Sequence, residues 1–332
     1  MIRNERRVSQ EEVADVLRTW PIGKVMEVSA DALGTINQTW LITAETGRFA
    51  LRLSCHEDTA KLQRELDLIA RVAGSGIPVV VPVRTPSGEA FLHQDGLWTL
   101  SPFAPGTQAD REVMTLAQDR GMGRYLAKLL DALEGCPLEL AKRRSLRLDV
   151  DNTLAKMARY EKLIGEYENA SEQEVYALDR LKGRRKWIEA HADATLDGLK
   201  RLPEQVIHGD YQEKNVFFDE RGDVSALIDW ENAWVAPREW ELLRTLNFVM
   251  FFEVERGRAF IEGYLEGAVL DIDALDQAAW AYGVDRTHQL YLYEDIYDRG
   301  NDRARQFLRP GPFQPIYDRW IPLRDALIQI IP

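Results

Sequence analysis

Between residues 206 and 234 the chain reads VIHGDYQEKNVFFDERGDVSALIDWENAW. Three of its polar side chains stand at the ends of apolar runs. Asp210 follows Val206-Ile207-His208-Gly209, Asn215 comes five residues later, and Asp229 closes Ala226-Leu227-Ile228. Asp-x-x-x-x-Asn is the spacing of a kinase catalytic loop, and it suits phosphoryl transfer. A short loop holds a carboxylate that takes the proton of an acceptor hydroxyl, beside an amide that reaches a phosphate-bound magnesium ion. The Asp229 carboxylate and the Asn215 amide oxygen are hard donors of the kind Mg2+ accepts while keeping much of its water. The competing explanation is a structural loop in which Asp caps a turn and Asn pairs with backbone. A lone HGD or a lone IDW would leave that explanation ahead; the whole string favours chemistry.

These residues need elements to place them. NVFFDERGDVSALID predicts a β-hairpin turning at Glu220 to Asp223, which returns Asp229 to the end occupied by Asn215. His208 is expected to buttress the loop by hydrogen bonds. Lys214 is expected to touch the transferred phosphate or only solvent. Glu231 is expected to orient a ligand or to act as a supporting acceptor.

HGDYQEKN followed by IDWE resembles the aminoglycoside phosphotransferase and choline kinase family, relatives of the protein kinases that phosphorylate small molecules. The resemblance covers nearly the whole chain and is strongest from 206 to 245. It implies an α+β, bilobal, protein-kinase-like fold: a small strand-rich N-lobe, a larger helical C-lobe, and ATP between them. FALR (49–52) matches the strand pattern V-A-I-K with Arg52 in the place of Lys. On a strand Ala50 and Arg52 share a face, so a small residue sits beside the purine while a cation reaches phosphate. Glu65, on the next helix, is the implied partner of Arg52. Backbone between Gly34 and Asn37 is expected either near phosphate or in a plain hairpin turn. Leu100 to Pro102, in WTLSPFAPG, matches the hinge at the adenine edge. Three departures stand out. Arginine is a bidentate fork where lysine is a point charge; the nucleotide loop has one glycine; and REWELL offers Glu239 or Glu241 where the family has Asp followed by Leu.

The remaining chain gives the scaffold. Residues 9–19 predict a helix capped by Ser9 with Val13, Val16 and Leu17 on its apolar stripe. TWLITAET and RFALRLS alternate as strands around a turn at Gly47. DTAKLQRELDLIARVAGSG predicts a helix with Leu62, Leu66, Ile69 and Ala70 on one side, closed by Gly74 and Gly76. Residues 77–103, β-branched and broken by Pro and Gly, read as short strands and turns. SPFAPGTQ (101–108) reads as a linker. Residues 109–134 and most of 151–200 read as helix, the latter with a solvated charged face, and helices follow residue 234. The expected division is a nucleotide-binding lobe at 1–103 and a helical lobe, with catalytic loop and acceptor site, at 104–332.

A chain of 332 residues has room for two such lobes. Its net charge of -12 argues against nucleic acid as a partner, because phosphate tracking needs concentrated Lys and Arg. A single nucleotide needs only a few cations and stays compatible. Acidic balance also suits a cationic small substrate, although solubility explains it equally well. Cys55 and Cys136 are the two cysteines; without a pairing or zinc motif they fit a reducing cytoplasm. The first residues show no apolar signal-like stretch, and no run approaches a membrane span, so a cytoplasmic location away from membranes is expected. Oligomeric state leaves no trace in the sequence.

For the acceptor, YLYEDIYDRGNDR places Tyr291, Glu294, Asp295 and Asp298 on one helical face. A ring beside carboxylates suits a cationic amine, and Trp234, Trp240 and Trp280 offer aromatic walls. The alternative is a solvated face paired with Arg299 and Arg303. The combined expectation is an ATP-dependent phosphotransferase acting on a hydroxyl of a small, amine-bearing molecule: aminoglycoside, choline-like or homoserine-like. Asp210 is the base, Asn215 and Asp229 hold Mg2+, and Arg52 with Glu65 holds phosphate. A protein kinase is disfavoured by the missing D-F-G glycine and the missing A-P-E segment. A catalytically weak nucleotide-binding pseudokinase, acting as a regulatory or structural partner, is kept open by Arg52 and the poor glycine loop.

Overall fold

The computed structural model describes residues 8–30, 37–167, 170–308 and 310–331. The chain divides into two compact units, the first of Met1–Lys142 and Gln205–Val235, the second of Arg143–Glu204 and Ala236–Pro332.

The first unit opens with α1 (Gln10–Leu17), where the Ser9 side chain accepts from the Glu12 amide and Val13, Val16 and Leu17 are buried, as the capping signal requires. An antiparallel sheet follows: β1 (Val25–Ala30), β2 (Gln38–Ala44), β3 (Gly47–Leu53), β4 (Leu92–His93) and β5 (Leu97–Pro102), in the order β1-β2-β3-β5-β4. On β3, Phe49, Leu51 and Leu53 are buried while Ala50 and Arg52 share the opposite, partly open face. That alternation is the one read from FALR. The buried face joins Val13, Val16, Leu17, Trp20 and Ile42 in one core.

Helix α2 (Thr59–Gly74) is capped by Asp58 and buries Leu62, Leu66, Leu68 and Ile69 along with Glu65; Ala70 lies exposed. Residues 77–83 form no strand. Pro78 and Pro82 remove two of the N–H groups a ladder needs, and isolated bonds anchor the segment instead, from Val80 N–H to Leu227 O (3.3 Å) and Val83 N–H to Leu100 O (2.7 Å). The helix expected from residue 109 begins later, as α3 (Leu116–Leu133), because the capping box of Thr115 and Gln118 fixes its start.

Past β6 (Lys142–Arg143) and the excursion into the second unit, β7 (Glu204–Ile207) leads to the polar loop, and β8 (Val216–Phe218) pairs antiparallel with β9 (Val224–Leu227). β10 (Trp234–Pro237) ends the stretch. The second unit carries α4 (Val150–Gly165), α5 (Glu172–Ala190), α6 (Asp197–Lys200), α7 (Arg238–Phe248), α8 (Val254–Leu265), α9 (Ile272–His288), α10 (Tyr291–Tyr293) and α11 (Ile316–Leu327). On α5 only Glu174, Ala177, Leu181 and Ile188 are buried. The solvated charged face expected there is interrupted by Glu174, which pairs with Arg305, and by Arg184, which donates to the carbonyls of Arg286, Thr287 and Gln289. Among the described residues no helix is long and apolar enough to cross a membrane.

Candidate active site

After β7 the chain must turn sharply, and Gly209 makes the turn. Its φ is +76°, and a Cβ there would collide with Asn232 O and lie 2.6 Å from Trp234 Cδ1. Only glycine fits. His208 is fully buried; its Nδ1 accepts from the Asp210 N–H at 3.3 Å and its Nε2 faces Ile228 O at 3.1 Å. Because Nδ1 accepts, Nε2 carries the proton and donates. The imidazole thus ties the loop to the hairpin end, the structural role expected of it.

The Asp210 carboxylate is oriented from within its own loop. Gln212 Nε2 donates to Oδ2 at 3.1 Å, and Asn215 Nδ2 donates to the same oxygen at 3.0 Å and to the Asp210 carbonyl at 2.9 Å. A carboxylate only accepts, so the Asn215 amide nitrogen faces Asp210 and its oxygen is the atom offered to a cation. The sequence pattern does not single out Gln212; its position between Asp210 and Asn215 is the available signal.

The hairpin performs as predicted. Val216 pairs with Leu227, and Ile228 N–H donates to Asn215 O at 3.0 Å, which sets Asp229 beside Asn215. Asp229 has φ +65°, a strained conformation for a residue with a side chain, of the kind that persists where function needs it. Burial pushes its carboxyl up to about 7, with repulsion from Glu231 adding and Arg52 opposing, and Asp210 and Glu65 adding further. A divalent cation would remove that repulsion, and one carboxylate with one amide oxygen is a donor set suited to Mg2+ completed by water and phosphate. No group of three or more His, Cys, Asp or Glu suited to a metal occurs among the described residues; a phosphate-supported ion needs none.

Arg52 Nη2 meets Glu65 Oε1 at 2.8 Å. Burial pushes the guanidinium down, but Glu65, Asp229 and Glu231 together leave it raised, so it stays charged. Its Nε and the second oxygen of Glu65 are buried without a hydrogen bond among the described residues.

The other expected residues are placed as follows. Gly34 lies outside the described residues. Asn37 uses its side chain as a brace, accepting from Cys55 N–H at 2.9 Å and donating to Glu231 Oε2 at 3.2 Å. Glu231 also receives Lys142 Nζ on its carbonyl at 2.6 Å. Leu100 is buried with its carbonyl taking the Val83 bond, and Pro102 can present only a carbonyl. Lys214 is exposed. Glu241 is fully buried, and burial raises the Glu239 carboxyl.

In the second unit the predicted helical face at 291–298 is not formed. α10 stops at Tyr293 and a π-helical turn covers Glu294–Asp298, whose wider turn breaks an i, i+3, i+4, i+7 stripe. The carboxylates are already engaged: Glu294 with Lys156 at 2.6 Å, Asp298 with Arg159 at 2.7 Å and the Tyr160 hydroxyl at 2.5 Å, and Asp295 with Arg299 at 3.4 Å and Asn301 at 2.6 Å. Tyr291 is half exposed. Trp234 and Trp240 are buried, and Trp280 packs against Trp187, His191 and Tyr317, so the three tryptophans serve as packing.

Residues 27–280 match the model of the phosphotransferase enzyme family. A homoserine kinase from Caulobacter sp. (strain K31) is 29% identical over 271 residues, covering 77% of each chain. Another from Methylobacillus flagellatus is 25% identical over 338 residues, covering 97% of each. Among solved structures, a spectinomycin phosphotransferase in complex with ADP and spectinomycin superposes with a TM-score of 0.71 at 13% identity, covering 97% of this chain and 100% of that one. An amicoumacin kinase in complex with AMP-PNP and Ca2+ superposes with a TM-score of 0.57 at 16% identity, covering 92% and 96%. These likenesses bear out the α+β, protein-kinase-like fold expected from the sequence.

Proposed function

The chain belongs to the phosphotransferase enzyme family, and we propose that it transfers the γ-phosphoryl group of ATP to the hydroxyl of a small amino alcohol, homoserine or a close analogue. It is a small-molecule kinase. The observation that carries the reading is the Asp210 carboxylate fixed by Gln212 and Asn215, with Asp229 returned beside Asn215 by the Ile228 bond. In the transfer the acceptor oxygen bonds to the γ-phosphorus, the bond from that phosphorus to the β–γ bridging oxygen breaks, ADP leaves, and the acceptor proton passes to Asp210. Positioning and charge supply most of the acceleration, since a loose transition state asks little covalent chemistry of the protein.

Nucleotide and divalent-metal use are supported by the ligands of the solved relatives. Mg2+ is our assignment, with Asn215 Oδ1 and Asp229 as the residues that would hold it; when bound it neutralises charge on the phosphates. Arg52, oriented by Glu65, meets a phosphate oxygen. Leu100 and Pro102 complete the proposed nucleotide contacts, with 1–103 as the nucleotide lobe and 104–332 as the part that carries the catalytic loop and acceptor site. Homoserine is favoured over larger acceptors by the names of the sequence relatives. Glu231 remains the proposed amine contact, while Glu294 and Asp295 keep the partners described above.

The test is ATP-dependent phosphorylation across homoserine, choline, an aminoglycoside and a matched alcohol lacking the amine. Homoserine should be the best acceptor, and Asp210→Asn should lower kcat about 10²–10⁴-fold while leaving ATP binding nearly intact. An Asp210→Asn enzyme working at the parent rate, or a preference for the amine-free alcohol, would overturn the assignment.

A further inference from the structure

The segment that joins β5 to α3, residues 103–115, does more than connect them. Gly106 has φ +91°, and a Cβ there would collide with Phe218 O, so the segment runs hard against the hairpin. Thr107 and Phe218 exchange two backbone bonds, of 3.0 and 2.8 Å, and Ser225 Oγ donates to Pro105 O at 2.7 Å. Gln108 Nε2 donates to the carbonyl of Lys214. Arg111 then sends Nε (2.7 Å) and Nη2 (2.6 Å) to a single oxygen, Oε1 of Glu213. Glu213 lies between Asp210 and Asn215, on the 3-10 turn Glu213–Asn215, and its side chain is 1% exposed against 19% for Arg111. Its Oε2 is buried without a hydrogen bond among the described residues.

A buried ion pair is a poor source of net stability, because taking two charges out of water offsets their attraction, and an apolar pair of similar volume holds a fold as well. What a charged fork supplies instead is direction. Resting on the phosphotransferase reading above, we propose that Arg111 is a positioning residue: through Glu213 it fixes the turn that sets Asp210 and Asn215 relative to one another. The segment carrying Arg111 begins at the end of β5, the strand holding Leu100 and Pro102, so the loop is fastened to the nucleotide-binding strand and not only to its own hairpin.

Six proteins decide the matter: wild type, Arg111→Met, Arg111→Lys, the single reversals Arg111→Glu and Glu213→Arg, and the charge exchange that combines the two. With ATP and homoserine, Arg111→Met should lose about 10- to 100-fold in kcat, the scale of an ångström-sized misplacement, with KM for ATP within about threefold. Arg111→Lys, keeping the charge, should recover part of the loss, and the exchange should exceed either single reversal. Backbone amide exchange across 206–218 should quicken in Arg111→Met while α1 and β1 to β3 keep their protection. Unchanged kcat, or unchanged exchange at 206–218, overturns the positioning role. Uniform loss of protection with no recovery in Arg111→Lys makes the pair a stability element and also overturns it. Failure of the wild type to phosphorylate any acceptor overturns the functional reading instead, and the exchange comparison still judges Arg111 separately.

Discussion

Asp229 gathers most of the site's electrostatic tension. Its carboxyl is pushed up to about 7 by burial first and by Glu231 next, whereas in the unfolded chain it titrates near the ordinary Asp value, about 4. Between those values the folded metal-free protein holds a proton the unfolded chain has released, so this group makes stability fall as pH rises from about 4 through 7. Asp229→Asn should therefore stabilise the metal-free protein at pH 8, by roughly 1–3 kcal/mol, and give no gain at pH 4. Thermal melts in chelator at the two pH values measure this; an equal shift at both would remove ionisation as the cause. That Asp210 and Asn215 share one loop, that Asp229 returns beside them and that Arg52 meets Glu65 was legible from their spacing and from the family pattern they match. Gln212 and the bracing role of Asn37 were not, since an amide side chain has too many uses for its position alone to choose among them.

At the level of elements, the hairpin 216–227 was readable from alternation and its turn, and the helix start at Ser9 from its cap. Residues 77–83 misled because β-branched residues favour a strand while the prolines among them forbid the ladder. The turn at 294–298 misled because helical periodicity presumes 3.6 residues per turn and a π turn departs from it. The junction of β7 and the loop is the least forgiving point. Gly209→Ala combines a left-handed backbone with a Cβ set against Asn232 O. We expect about 2–4 kcal/mol of destabilisation and a kcat about 10²-fold lower, the second measured at a temperature where the variant is fully folded. A Gly209→Ala protein with parental melting and turnover would show that the turn tolerates a side chain.

For the molecule as a whole, the arrangement of the first unit was the least legible feature, because no local pattern reports that Gln205–Val235 belongs with Met1–Lys142. The contacts that join these segments are far apart in sequence: Tyr211 hydroxyl to Met122 O at 2.9 Å, Gln205 Nε2 to Leu130 O at 2.9 Å, and the stacked rings of Tyr125 and Tyr211 at 6.0 Å. A fragment of residues 1–142 leaves α3 without these partners and should lack a cooperative thermal transition by circular dichroism; a sharp melt like that of the full chain would contradict this. Synthesis adds a matter of timing. The ribosome delivers the closing segment about 90 residues after the rest of its unit, about 5–20 s later. Throughout that interval the buried face of α3 is open to chaperones or to neighbouring nascent chains, so a translational pause between 143 and 235 would lower the yield of active protein without altering a single residue of the finished enzyme.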